Sequence, residues 1–555
     1  MTSDRSSPRP IVGPVNHGPR QVVRMHPDHS WLNLQWYEAP REDPSWPEVY
    51  TYTDAISYSP GEEVQFHGST TAARWSIEIV RDGAVPASLH RHDDLQGGFT
   101  AMPEAAYRFG CGWPVRYRWR IPADARSGFY KVVSTCARPD GSLFVQHHFF
   151  LVRPTAATRR GHLLMILPTA TWTAYNDWGG ANHYLGIDGP ARNQFSPVLS
   201  TERPWTRGVV WLPAGAPRLS NDPPPEPLAA PRYPMKEWAY ANGFGYYYAA
   251  SGWAQFDRHF VVWAEREGFV PDMITQTDLH YRPEILDAYP AVVIVGHDEY
   301  WTYEMRRAIE AYVEKGGRLA RFGANFTWQI RLEDEGRRQI CYKMRAPAED
   351  PIRDTDQAHL LSTAWEDRRV RWPGASTVGV NGLGGVYASW GGFVPHGQKG
   401  FTVYRPAHWV FDGTQLTYGD VFGAEARIFS YEVDGLDYTF RHGLPYPTGE
   451  DGASKEIEIL AMAPAVLTET KNAGEGFRYY IGDHDERGKA EMVYGDSSEA
   501  ILAKCRYGSG MIVHMRRGAG EVVTAASCEW VMGLARGDFY TQQITRNVIR
   551  RFTEN

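Results

Sequence analysis

The run Ala291-Val-Val-Ile-Val-Gly296 leads directly into His297, Asp298, Glu299 and Tyr300. Five apolar residues, four of them β-branched, end on a glycine. A short continuous apolar run of this kind predicts a strand covered on both faces, as in a parallel sheet. In open α/β sheets the crevice beyond the carboxyl ends of the strands receives ligands. Four polar or ionisable side chains fall at that place, so chemistry is expected there.

The flanking pattern extends this reading. Leu163-Leu-Met-Ile-Leu167 is a second buried strand, followed by the aromatic loop Pro168 to Gly180. Phe256, Phe260, Trp263 and Ala264 recur at helical spacing, and Gly268 is a natural stop. Asp272 to Thr275 fits a short strand, and Asp278 to Ala288 a helical turn or two. Thr302 is a good N-cap for a helix whose apolar face is Met305, Ile309, Tyr312 and Val313, closed by Gly316-Gly317. Arg318 to Phe322 is a further strand. This β-α-β-α-β order predicts a parallel sheet with right-handed crossovers. Gly510 to His514 returns to the sheet, and Tyr540 to Phe552 forms a last helix.

Upstream, the alternation in Glu63 to His67 and Trp75 to Val80, then Phe129 to Val133 and Phe144 to Val152, predicts an antiparallel sandwich over residues 48–153. Residues 1–47 read as an extended N-terminal arm, and 154–161 as a linker. Residues 162–555 form the α/β domain, interrupted at about 340–490 by a glycine-rich β insertion.

The 555 residues fit about two to four domains. With 58 basic and 65 acidic residues, the net charge of −7 comes without clustered Lys and Arg, which argues against a nucleic-acid partner. Five scattered cysteines form neither a zinc knuckle nor a disulfide framework. The first residues lack the apolar core of a secretory signal, and no apolar stretch is long enough to span a bilayer. The expectation is a cytoplasmic protein without a membrane partner. Its 20 Trp and 31 Tyr suit aromatic-lined pockets and β-sandwich cores alike.

The order of the sheet elements resembles that of class I glutamine amidotransferases, whose fold is flavodoxin-like. Those enzymes carry a cysteine nucleophile on a strand-to-helix elbow. Here the matching turn, Gly323-Ala-Asn325-Phe-Thr327, holds Asn325, so acyl-thioester chemistry is expected to be absent. His297, Asp298, Glu299 and Tyr300 could supply a metal ligand, a base or helix-entry hydrogen bonds. A tyrosine at a strand end could offer phenolate oxygen to ferric iron.

Longer motifs narrow the comparison. Leu-Pro-Thr-Ala-Thr-Trp-Thr-Ala-Tyr-Asn-Asp-Trp-Gly-Gly, Gly-His-Asp-Glu-Tyr-Trp, Gly-Ala-Asn-Phe-Thr-Trp-Gln-Ile-Arg331 and Ala407-His-Trp-Val-Phe resemble the N,N-dimethylformamidase large-subunit family over about residues 48–552. That resemblance implies a sandwich joined to an amidotransferase-like sheet domain, and mononuclear iron held by two tyrosines and a glutamate. It places Tyr300 in the family's His-x-Glu-Tyr motif as one ligand. By spacing the second tyrosine's place falls at His259, which could equally be a plain helix-surface histidine. A histidine ligand there would favour iron(II) or zinc over iron(III). The carboxylate's place falls near Val380 to Gly385, where Asn381 is the nearest oxygen donor.

The resemblance also implies a catalytic carboxylate at about Glu521, a general base toward water, with His408 beside the site. Asn176 and Asp177 would bind substrate or satisfy loop amides. Glu432 and Asp434 read as a turn entering a hairpin. The expected function is metal-dependent hydrolysis of an amide or related C–N bond in a small-molecule substrate. The alternatives are another metal-dependent reaction on the same scaffold and a non-catalytic, aromatic-lined binding module. A homo-oligomer is expected, with a small second subunit as a further partner.

Overall fold

A computed structural model describes residues 11–14, 35–219, 234–387, 400–466 and 484–554. Its central feature is an 11-stranded mixed sheet. Along its main path the neighbours are Asp272–Thr275, Leu163–Leu167, Ala291–His297, Arg318–Ala324, Gly520–Ala525, Tyr507–Arg517, Glu458–Val466, Asn381–Tyr387 and Glu432–Gly435. The first five are mutually parallel, and pairing turns antiparallel from Tyr507–Arg517 onward. The strands Leu163–Leu167 and Ala291–His297 are buried at every position, as their unbroken apolar runs require.

The helix Tyr303–Glu314 begins where the sequence predicts. Thr302 accepts the Met305 N–H at 3.1 Å as its N-cap, and Met305, Ile309, Tyr312 and Val313 are buried. The periodicity around Phe256 resolves into a π turn, Trp253–Asp257, running into the helix Arg258–Arg266. The final helix spans Phe539–Glu554.

The glycine-rich stretch after residue 340 adds five antiparallel strands to the same sheet's far side and edge, among them Glu432–Gly435. The Val433–Ser527 bridge brings that strand to the carboxyl end of Gly520–Ala525. Glu432 and Asp434, read from sequence as a turn, are strand residues and buried. The reason is tertiary: the distant segment Asn381–Tyr387 supplies a pairing edge that no periodicity in the sequence announces.

The amino-terminal region is a seven-stranded sheet. The two strands expected at Glu63–His67 and Trp75–Val80 are one, Glu63–Arg81, running without a break through Gly68 to Arg74. It pairs early with Val49–Thr53 and Val115–Arg120, later with Ala87–Gly98 and Gly128–Ala137. A single core collects Val64, Phe66, Ile77, Ile79, Val132 and Phe150. This layer is fastened to the larger sheet's π turn. Phe129 stacks on Trp253 at 4.1 Å, and Asp82 accepts from Trp253 Nε1 at 2.8 Å and Arg258 Nε at 2.9 Å. Of the expected N-terminal arm, residues 1–10 and 15–34 lie outside the described residues. Within it, Ile11–Pro14 pairs with Gln35–Tyr37, and Trp36 is buried, donating to the Phe244 carbonyl at 2.8 Å.

Candidate functional site

Two glycines shape the crevice. Gly296 has φ of +70°, and a Cβ there would meet Phe256 Cβ at 2.5 Å. Its partner across the ladder, Gly323, would place a Cβ 2.5 Å from the Gly296 carbonyl oxygen. Only glycine lets the two strands end this closely and turn the next side chains inward.

His297 is the first of these. Its Nδ1 lies 2.6 Å from the Ala250 carbonyl oxygen. A carbonyl can only accept, so Nδ1 carries the proton and Nε2 faces the crevice. Nε2 lies 2.7 Å from Glu432 Oε2 and 3.3 Å from Glu299 Oε2. Asn325 Nδ2 approaches Nε2 at 3.1 Å and donates to Glu432 Oε2 at 2.8 Å. Burial pulls the His297 pKa down, but the Glu432 and Glu299 carboxylates outweigh it and lift it to about 10. Burial raises the Glu432 carboxyl above its usual range, while the His297 hydrogen bond, against burial, holds Glu299 below it.

Glu299 is fixed from a second direction. It accepts from Tyr184 Oη at 2.6 Å and from Trp328 Nε1 at 2.7 Å, and its backbone N–H donates to Thr171 Oγ1 at 2.9 Å. Tyr300 Oη donates to Tyr184 Oη at 2.9 Å, so the two phenols and the carboxylate form a chain. The Lys343 ammonium sits 3.2 Å from the centre of the Tyr184 ring. Tyr175 stacks on Tyr184 at 4.3 Å, and Tyr431 meets the His297 ring edge-on at 5.3 Å.

Beneath the site lies a fully buried charge triad. Arg321 donates to Asp298 Oδ2 at 3.1 Å and to Asp434 Oδ2 at 2.7 Å. Asp434 Oδ1 also accepts the backbone N–H of Asn325 at 2.6 Å. Asn325 stands at the elbow in a left-handed conformation, φ +68°, which asparagine tolerates better than most residues. The expectation that no cysteine lies near this elbow holds in sequence but not in space. Cys528 Sγ, His297 and Glu432 bring ligand atoms within 4.8 Å of one another. Burial first, then Glu432, pushes the Cys528 thiol far above its ordinary range.

The residues singled out from sequence do not gather in one place. Tyr300 reaches the site through Tyr184. His259 lies on the helix Arg258–Arg266; burial, then Arg218, Arg258 and Arg536, lowers its pKa to about 3. Three cations around it disfavour another. Asn381 is occupied structurally: Oδ1 accepts the Ala375 N–H at 2.8 Å and Nδ2 donates to Asp451 Oδ2 at 3.0 Å. Asn176 satisfies loop amides, accepting from Thr206 N at 3.0 Å and donating to the Pro204 carbonyl at 3.0 Å.

Glu521 stands at the opposite end of the sheet from His297. It pairs in register with Arg318, the first residue of a strand whose last residue, Ala324, pairs with His297. At about 3.3 Å per residue, six steps separate those ends by about 20 Å. The glycine turn before Glu521 opens its strand rather than closing it. His408 belongs with Glu521, not with the crevice: His514 bridges them, 3.2 Å from His408 and 2.9 Å from Glu521.

The fold and this crevice define a mixed α/β protein with a buried imidazole–carboxylate centre ringed by phenols. Residues 77–545 match the family described as N,N-dimethylformamidase beta subunit-like, C-terminal, and the chain belongs to that family. No curated protein matches the chain. Among solved structures, the sporulation control protein Spo0M from Bacillus subtilis is similar at 19% identity and TM-score 0.15, over 20% of this chain and 50% of that one. Alpha-2-macroglobulin from Escherichia coli is similar at 14% identity and TM-score 0.14, over 21% of this chain and 8% of that one. Murine CRIg follows at 13% identity and TM-score 0.14, over 19% of this chain and 96% of its own. This chain therefore spans half of the first of these relatives and under a tenth of the second. Among the described residues no helix is long and apolar enough to cross a membrane.

Proposed function

We propose that this protein is a metal-dependent hydrolase of an amide or related C–N bond in a small molecule, of the N,N-dimethylformamidase type. Family membership supports the hydrolase class. The observation that carries the metal reading is the donor set: His297 Nε2 turned by its Nδ1 contact toward two buried carboxylates. In such a pocket either the imidazole is charged or a cation stands among the three groups. The chemistry of the donors fits a hard or borderline cation, iron or zinc, held by His297 and Glu432 with Glu299 beside them. These take the place that sequence reasoning gave to Tyr300, His259 and Asn381.

A metal ion there would supply Lewis acidity toward a carbonyl oxygen and toward water. The chain's own groups do the rest. Glu432 is placed to accept a proton from an attacking water and return it to the departing amine nitrogen. Asn325 Nδ2 orients that carboxylate. Tyr184 and Trp328 hold Glu299 in one rotamer, and the Lys343 ammonium lies over the Tyr184 ring. Tyr175, Tyr247 and Tyr431 pack around these groups and exclude water.

The amidotransferase-like arrangement belongs to the same proposal, since the first five strands are parallel and the elbow follows Arg318–Ala324. On this reading the elbow amide that would greet an oxyanion is closed by Asp434. A partner subunit is proposed from the family's description as a beta subunit. The test is metal content and turnover of N,N-dimethylformamide and related small amides by the purified chain, compared with Glu432→Gln. Metal and amine release that both fall in the variant support the reading. A wild-type chain without bound metal, or a variant equal to it in both, overturns it.

A further inference from the structure

A second meeting of imidazoles and carboxylates lies toward the amino ends of the parallel strands. His514 stands on Tyr507–Arg517 and pairs in register with Glu458. His408 precedes the short 3-10 turn Trp409–Phe411. His408 Nε2 is 3.2 Å from His514 Nδ1, and Glu458 Oε2 is 3.3 Å from His514 Nδ1 and 3.8 Å from His408 Nε2. The three ligand atoms all lie within 4.8 Å of one another.

The outer side of His514 is fixed. Its Nε2 lies 2.9 Å from Glu521 Oε2. Arg551 at 3.6 Å and Arg318 at 3.9 Å stand by the other oxygen of the same carboxylate. An ionised carboxylate only accepts, so His514 Nε2 carries a proton, and in the tautomer with Nε2 alone protonated the Nδ1 lone pair faces His408 and Glu458. Lone pair and carboxylate oxygen then face each other at 3.3 Å. Without an ion, Val410 N–H on His408 Nδ1, at 3.3 Å, leaves the His408 proton on Nε2, directed at His514. That proton answers the His514 lone pair and leaves Glu458 to solvent.

We propose that His408 Nε2, His514 Nδ1 and Glu458 form a second metal site, for a divalent ion of the zinc class, with Glu521 as the outer carboxylate orienting His514. Two imidazoles and one carboxylate with a remaining open position is an established zinc donor set. A carboxylate on the far nitrogen of a ligating histidine fixes its tautomer and raises its basicity. Entry is open, because the Glu458 side chain is 50% exposed. Binding moves the His408 proton from Nε2 to Nδ1 and turns the ring off the Val410 amide. The site shares no residue with the crevice at His297 and Glu432, so the two are separable.

The experiment is equilibrium binding of Zn2+ to the full chain, first stripped with chelator, read as bound metal per chain after gel filtration. Wild type is expected to hold about two equivalents. Glu458→Gln and His514→Ala each lose one equivalent, whereas His297→Ala loses the other and keeps this one. Glu521→Gln keeps the site but weakens it by about 10- to 100-fold. Glu458 is half exposed, so Glu458→Gln leaves a folded chain even if His514→Ala does not. Equal zinc binding by wild type and Glu458→Gln, or a single equivalent that only His297→Ala removes, overturns the proposal.

Discussion

His297 Nε2 and Glu432 Oε2 stand 2.7 Å apart although one ends a parallel strand and the other begins an antiparallel one. The contact joins the two halves of the sheet at the crevice.

Glu432→Gln keeps the shape and removes the base. The carboxamide can still meet His297 but cannot take a proton from water. The expected loss in kcat on a small amide is about 10²–10⁴-fold. Steady-state amine release measures it, with circular dichroism as the check on folding.

Stability of the metal-free protein should depend on His297. Its pKa rises on folding from 6.5 to about 10. Protonated His297 therefore adds stability that is fully present below about pH 6.5 and lost as pH rises through about 10. Urea midpoints measured between those values should fall with pH, and His297→Gln should flatten the slope. A slope unchanged in the variant would assign the dependence to other groups.

Arg321→Met leaves Asp298 and Asp434 buried without their cation. The cost is expected at about 3–5 kcal/mol, the range for breaking one side of a buried ion pair. Denaturant unfolding of the variant against wild type gives the number.

Gly296→Ala forces a Cβ against Phe256 at a left-handed φ. Both the contact and the conformation are unfavourable, so the variant should lose more than about 1 kcal/mol and displace His297. Phe256→Ala in the same background keeps the Cβ that the new methyl meets, so it should not rescue the variant.

Tyr184→Phe removes the hydroxyl that links Tyr300 to Glu299. Trp328 still holds one carboxylate oxygen, so the variant should fold and bind metal but turn over more slowly. A wild-type rate would confine Tyr184 to packing.

The parallel strands were legible because Leu163–Leu167 and the first five residues of Ala291–His297 are short apolar runs, and such runs have few other places to go. The crevice was legible for the same reason: His297 and Glu299 follow the glycine that ends the run. Glu432 was not, because Tyr-Glu-Val-Asp-Gly reads equally as a turn, and its strand exists only through pairing with a distant glycine-rich segment. The resemblance likewise pointed to Glu521 as a catalytic carboxylate, and a glycine turn beside a strand does not say which end of the strand it marks. Cys528 shows the limit from the other side: absent from the elbow in sequence, it arrives there by the return of Gly520–Ala525.

Arg321 is rooted mid-strand and reaches Asp298 with one nitrogen and Asp434 with another. Those two aspartates are the immediate neighbours of the Glu299 segment and the near neighbours of Glu432. The gap between the two working carboxylates is thus gauged by the span of one planar guanidinium, a rigid ruler rather than a sum of flexible loops. A lysine at this position, with one point of attachment instead of a fork, would leave the width of the crevice unset even in a chain that folds.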